Sequence, residues 1–89
     1  MISRTTKRFR QAYSKLPKSL QRQTRDAYKL FQQDPSHPRL RFKQVHPQKP
    51  VYSVRININY RAVGIRDKNE MIWFWIGAHP EYDKLLHSF

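Results

Sequence analysis

The chain has 89 residues, 38% of them hydrophobic and 27% charged, with 18 Lys/Arg against six Asp/Glu for a formal net charge of +12 and no cysteine. That length suits a single domain spanning 1–89 with one modest core and marginal stability. The composition excludes a disulfide framework, a cysteine-based zinc site and a membrane-spanning segment. The first residues are polar and basic, without the apolar core of a secretory signal, so a cytoplasmic location is expected. The charge points to a polyanionic partner. It is uneven: residues 1–66 hold 16 of the Lys/Arg and only two acids, Asp26 and Asp34, whereas residues 67–89 are net acidic. A plain solvated face is the alternative. An anionic membrane fits less well, because the basic segments do not form one long amphipathic anchor.

In chain order, residues 1–5 read equally as a short edge strand or an irregular lead-in. From Thr6, Phe9, Tyr13 and Leu16 follow helical spacing, with Thr5 or Thr6 as the cap. Pro17 ends this helix or opens the next, which carries Leu20, Thr24, Ala27, Tyr28 and Phe31 on one face until Asp34-Pro35 and Pro38. The two form an αα-hairpin. The period then changes to two. Leu40, Phe42 and Val45 fit a strand, and His46-Pro-Gln-Lys-Pro50 is a proline-bounded loop. From Val51, residues Tyr52, Val54, Ile56 and Ile58 alternate with Val51, Ser53, Arg55 and Asn57. Asn57 and Asn59 suit a tight turn into a strand from Tyr60 to Arg66, and Asp67-Lys-Asn69 makes the next turn.

Met71 to Ile76 is an unbroken apolar run, read as a central strand buried on both faces. Strict alternation puts Ile72, Phe74 and Ile76 on one face and Met71, Trp73 and Trp75 on the other. Gly77 lets the backbone turn or approach a neighbour, and His79 leaves the sheet. Pro80 opens a short helix from Glu81 to His87 with Tyr82, Leu85 and Leu86 as its apolar face. The expected fold class is α+β: an antiparallel meander of about four strands, two N-terminal helices on one face, and a short C-terminal helix.

Two basic helices, Leu40-Arg-Phe-Lys43, Tyr52-Ser-Val-Arg-Ile56, Asn59-Tyr-Arg-Ala-Val63, Trp73-Phe-Trp-Ile-Gly-Ala-His79 and Tyr82-Asp-Lys-Leu85 follow one another. In that combination the chain resembles the RelE/ParE superfamily of type II toxin–antitoxin toxins over nearly its whole length. The resemblance implies a small toxin fold with a basic groove opposite its helices. It implies inhibition of translation by ribosome-dependent cleavage of mRNA, or, in the ParE branch, poisoning of DNA gyrase with no bond broken. An attenuated toxin that binds only antitoxin or rRNA is a third reading. The implied partners are a cognate antitoxin, the ribosome and mRNA, with no cofactor.

Metal-free RNA cleavage removes the 2′-hydroxyl proton, stabilises the phosphorane and protonates the 5′-oxygen. Arg61 matches the arginine that follows tyrosine in the family's strand, and a guanidinium grips two phosphate oxygens; pairing with Asp67 or an antitoxin acid is the bland alternative. Arg55 comes beside it across a short turn, as a second clamp or a structural fork. His79 takes the position where relatives carry a catalytic arginine or histidine and serves as general acid or base, or is a plain surface histidine. His46 is a weaker catalytic candidate. RNA contacts are expected from Arg41, Lys43, Lys49, Arg8, Arg22 and Arg25, the helical cations holding phosphate without reading bases. Tyr82 stacks on a base or, with Leu85 and Leu86 at helical spacing, packs on the sheet. Trp73 and Trp75 read as core before stacking platform. The four histidines lack zinc-type spacing, so no metal site is expected.

Overall fold

The computed structural model describes residues 1–89. The elements are β1 (Ile2–Thr5), α1 (Lys7–Ser14), α2 (Lys18–Gln33), a 3-10 turn (Pro38–Leu40), β2 (Lys43–Gln44), β3 (Val51–Arg55), β4 (Tyr60–Asp67), β5 (Glu70–Ala78) and α3 (His79–His87). They build one five-stranded sheet in the order β1-β5-β4-β3-β2. The meander β2 to β5 is antiparallel, as its short turns require. The lead-in is a strand: β1 lies parallel on β5, Ser3 opposite Met71 and Thr5 opposite Trp73. The sheet is therefore mixed rather than wholly antiparallel, and β4 rather than β5 is its middle strand.

Helix α1 begins where Thr6 Oγ1 accepts from the Phe9 amide at 3.1 Å. Its last carbonyls are taken up by the next helix, since Gln21 Nε2 donates to Tyr13 O at 3.2 Å and Ser14 O at 3.4 Å, and also to Leu16 O in the joint at 3.2 Å. This closes the αα-hairpin. Phe9, Ala27 and Phe31 turn inward onto Val54, Ile56, Ala62, Met71, Trp73 and Ile76. Phe31 meets Phe42 and Trp73 edge-on, with ring centroids at 4.9 and 5.5 Å. The expected strand around Leu40 shrinks to Lys43–Gln44, because Leu40 is drawn into the core on a 3-10 turn and Arg41 takes a left-handed φ of 47°.

The other sheet face carries a smaller cluster of Val51, Val63 and Tyr82, with Phe74, Trp75, Leu85 and Leu86 packed on it. Strict alternation along β5 fails here. Val63 pairs with Trp75 and Gly64 with Trp73, so Phe74 is an extra residue on β5. Phe74 and Trp75 both join the α3 side, and Ile76 moves to the helical core with Met71 and Trp73.

Candidate nucleic-acid interface

The sheet's pleat sets the site. Residues facing one another across antiparallel strands share a face, so the register Arg55–Arg61–Gly77 draws one row and Lys43–Ser53–Val63–Trp75 the next. Both rows lie opposite the αα-hairpin, on the face that α3 partly covers. Arg55 and Arg61 are thus nearest neighbours on adjacent strands. Burial pushes the Arg61 guanidinium below its usual pKa; the nearby Arg55 and Arg41 charges push the same way, while Tyr82 and Asp83 oppose them. An anion placed here offsets that mutual repulsion. Arg61 Nη1 donates to Asn57 O at 2.7 Å and Tyr60 O at 3.0 Å, which fixes the head of the side chain on the β3–β4 turn. No ion pair joins Arg61 to Asp67.

His79 is the first residue of α3. Its amide donates to Asn59 O at 2.8 Å, on the same turn that holds Arg61. Its Nδ1 lies 3.3 Å from Asp83 Oδ2, one helical turn on, and its ring meets Tyr82 edge-on at 5.7 Å. The Asp83 carboxylate lies on the Nδ1 side of this exposed ring, with Nε2 on the other side. The spacing of four on a helix was the signal for Asp83, which sequence reasoning did not single out. His46 stands elsewhere. Its Nδ1 accepts from the Gln48 and Lys49 amides at 3.1 and 2.8 Å, and its ring faces Phe89, beyond the C-terminal end of α3. At 1.5 Å per residue, α3 separates that end from His79 by about 12 Å, so His46 and His79 do not meet.

Tyr82 is buried, its hydroxyl donating to Ser53 Oγ at 3.0 Å and its ring tilted against Trp75. That is the packing alternative; the ring has no open face for a base. Trp73 is core and donates Nε1–H to Ser3 Oγ. The RNA-contact candidates divide between two faces. Arg41 stands near Arg61 and Lys43 lies in the next row opposite Ser53, with Lys49 on the loop of His46. Arg8, Arg22 and Arg25 are exposed on the hairpin. Between that hairpin and the sheet lies a cleft of about 410 Å³, walled by Phe9, Tyr13, Phe31, Val54, Ile56 and Trp73, with Arg10 and Arg25 at its lining. Nothing in the helical periodicity distinguishes this cleft from a closed core.

A family model described as the ParE-like toxin domain matches residues 18–84, a span that includes α2, β2 to β5 and most of α3. The chain belongs to the ParE-like toxin domain family. Its fold is also that of solved toxins. The RelB–RelE antitoxin–toxin complex from Methanococcus jannaschii aligns at a TM-score of 0.73 and 14% identity, covering 92% of this chain and 96% of that one. The RelE–RelB complex from Pyrococcus horikoshii OT3 aligns at 0.69 and 13% identity, covering 86% and 92%. A copper-bound mutant toxin from Helicobacter pylori aligns at 0.61 and 17% identity, covering 91% and 97%. At these identities the likeness concerns the fold. No curated protein matches the chain. This ParE-like domain carries its arginine row and its histidine on the sheet face opposite the hairpin.

Proposed function

We propose that this toxin domain is a ribosome-dependent mRNA endoribonuclease that stops translation. The observation that carries the reading is the juxtaposition of Arg55 and Arg61 across β3 and β4, with His79 docked onto the same turn. The scissile phosphate sits against the two guanidiniums. The adjacent 2′-oxygen attacks phosphorus and loses its proton, the P–O5′ bond breaks, and the 5′-oxygen gains a proton. The products are a 2′,3′-cyclic phosphate and a 5′-hydroxyl. Arg61 and Arg55 hold the charge of the phosphorane, and His79 Nε2 moves one of the two protons. The hairpin cations Arg8, Arg22 and Arg25 contact ribosomal RNA phosphates. A cognate antitoxin is the protein partner, and the apolar cleft rimmed by Arg10 and Arg25 complements an acidic amphipathic segment of it.

Primer extension on a defined mRNA, with and without bacterial ribosomes, tests the reading. Cuts are expected only when ribosomes are present. Arg61→Ala is expected to lower cleavage about 10²- to 10³-fold and His79→Ala by at least about 10²-fold. Full activity in either variant removes that residue from the mechanism. The match to a ParE-like model favours a second reading, inhibition of DNA gyrase by binding alone. Its signature is cleaved DNA trapped with purified gyrase, and no RNA cut.

A further inference from the structure

The turn between β3 and β4 is more heavily bonded than a chain reversal requires, and Asn57 is its hub. The Asn57 carboxamide oxygen accepts from the Asn59 and Tyr60 amides at 2.8 and 2.9 Å. That side-chain bonding fixes an Asx turn. The same carboxamide donates from Nδ2 to Gln23 Oε1 at 2.6 Å, which ties the turn to α2 across 34 positions of sequence. The main-chain oxygen of Asn57 takes the short 2.7 Å bond from Arg61 Nη1, and Tyr60 O takes another. Asn59 O, held by the same Asx turn, accepts the His79 amide. Arg61 Nη2 and Nε make no hydrogen bond within the chain and are not buried without a partner. One side of the guanidinium is therefore fixed to the turn, and the other is left for an oxyanion.

We propose that Asn57 is the positioning residue of the site. Its side chain sets the turn whose carbonyls aim Arg61 and seat the first residue of α3, and its bond to Gln23 braces that turn against α2. An ordinary Asx turn stabilises a loop and stops there. Here three further groups, Arg61, His79 and Gln23, depend on its geometry, and two of them belong to the proposed chemistry. The consequence for cleavage rests on the nuclease reading above; the hold on Arg61 does not.

Two measurements separate those parts. In proton–nitrogen NMR of the guanidinium groups, the wild-type chain should show distinct, slowly rotating Nη signals for Arg61. Asn57→Ala should merge them, and Asn57→Ser, whose hydroxyl still accepts from the following amides, should restore them in part. Unchanged signals in Asn57→Ala overturn the proposal. In single-turnover cleavage on ribosomes, Asn57→Ala should lower the rate about tenfold with little change in half-saturation. In an Arg61→Ala background the same substitution should cost clearly less than tenfold, because the share that acts through Arg61 is already lost and only the seat of His79 remains. A full tenfold cost in that background means a general structural role and overturns the proposal. Gln23→Ala should fall between wild type and Asn57→Ala; a wild-type rate would remove the brace to α2. No cleavage by the wild-type chain overturns the nuclease reading, while the NMR result still judges the hold on Arg61.

Discussion

Gly77 shapes the floor beneath Arg61. It faces Arg61 in the sheet, and the Trp75 indole lies along the space a side chain would fill. A Cβ at this position would stand 2.7 Å from Trp75 Cζ2 and 2.8 Å from Cη2. Gly77→Ala must therefore displace a large ring that also leans on Tyr82. The expected cost is about 1–3 kcal/mol of stability, read as a lower thermal midpoint, and under the proposed nuclease reading weaker RNA binding, because the displaced ring lies in the row next to Arg61. A variant that melts like wild type would show that the ring moves freely. The sequence placed Gly77 as a site of close approach but not its neighbour, since a strand pattern does not say how a tryptophan lies along its own strand. Arg55 and Arg61 were legible together, because a short turn between two alternating strands leaves few registers. Asn57 was legible only as a turn former. Its bond to Gln23 spans elements that no local pattern connects.

The elements that resisted reading are those with no periodic signal of their own. Strand β1 has four residues, three of them exposed, and pairs in parallel with the far end of the chain. The bulge at Phe74 was hidden because β5 is apolar on both faces, so a one-residue shift leaves the hydrophobic pattern unchanged. The shift matters for α3. It turns both Phe74 and Trp75 to the side where Tyr82, Leu85 and Leu86 pack, and so builds the seat of that helix. The polar lock within the seat is the bond from Tyr82 to Ser53, a residue only 2% exposed. Tyr82→Phe keeps the ring and removes the donor, at a cost of about 1–2 kcal/mol. The loss should appear in hydrogen exchange as faster opening of the α3 amides, with those of β4 unchanged, because β4 keeps both strand partners. Equal loss of protection in both would mean that α3 and the sheet open as one unit.

Across the whole molecule the positive charge is divided between two surfaces on opposite sides of one sheet. Among the Lys/Arg side chains only Arg4 pairs with an acid, Glu70, at 3.2 Å, so nearly all of the charge is available to a partner. The α3 side of the sheet has Arg41, Lys43, Arg55 and Arg61; the hairpin has Arg8, Arg22 and Arg25 among its exposed cations. A cation that only neutralises phosphate contributes to affinity through released counterions, about 0.7–0.9 in the slope of log K against log salt. Under the proposed nuclease reading, replacing Arg8, Arg22 and Arg25 together by Gln should therefore flatten the salt dependence of ribosome binding by about 2–3, with cleavage at saturation retained. Under the proposed nuclease reading Arg61→Ala should do the reverse, changing the slope by about 1 or less while lowering cleavage at saturation, because that reading puts its work in the transition state. Ribosome sedimentation across a salt series, followed by single-turnover cleavage at saturating protein, reads both quantities from the same variants. If the hairpin triple variant kept the full slope, those cations would face solvent in the complex, and the long-range attraction would have to come from the α3 side of the sheet.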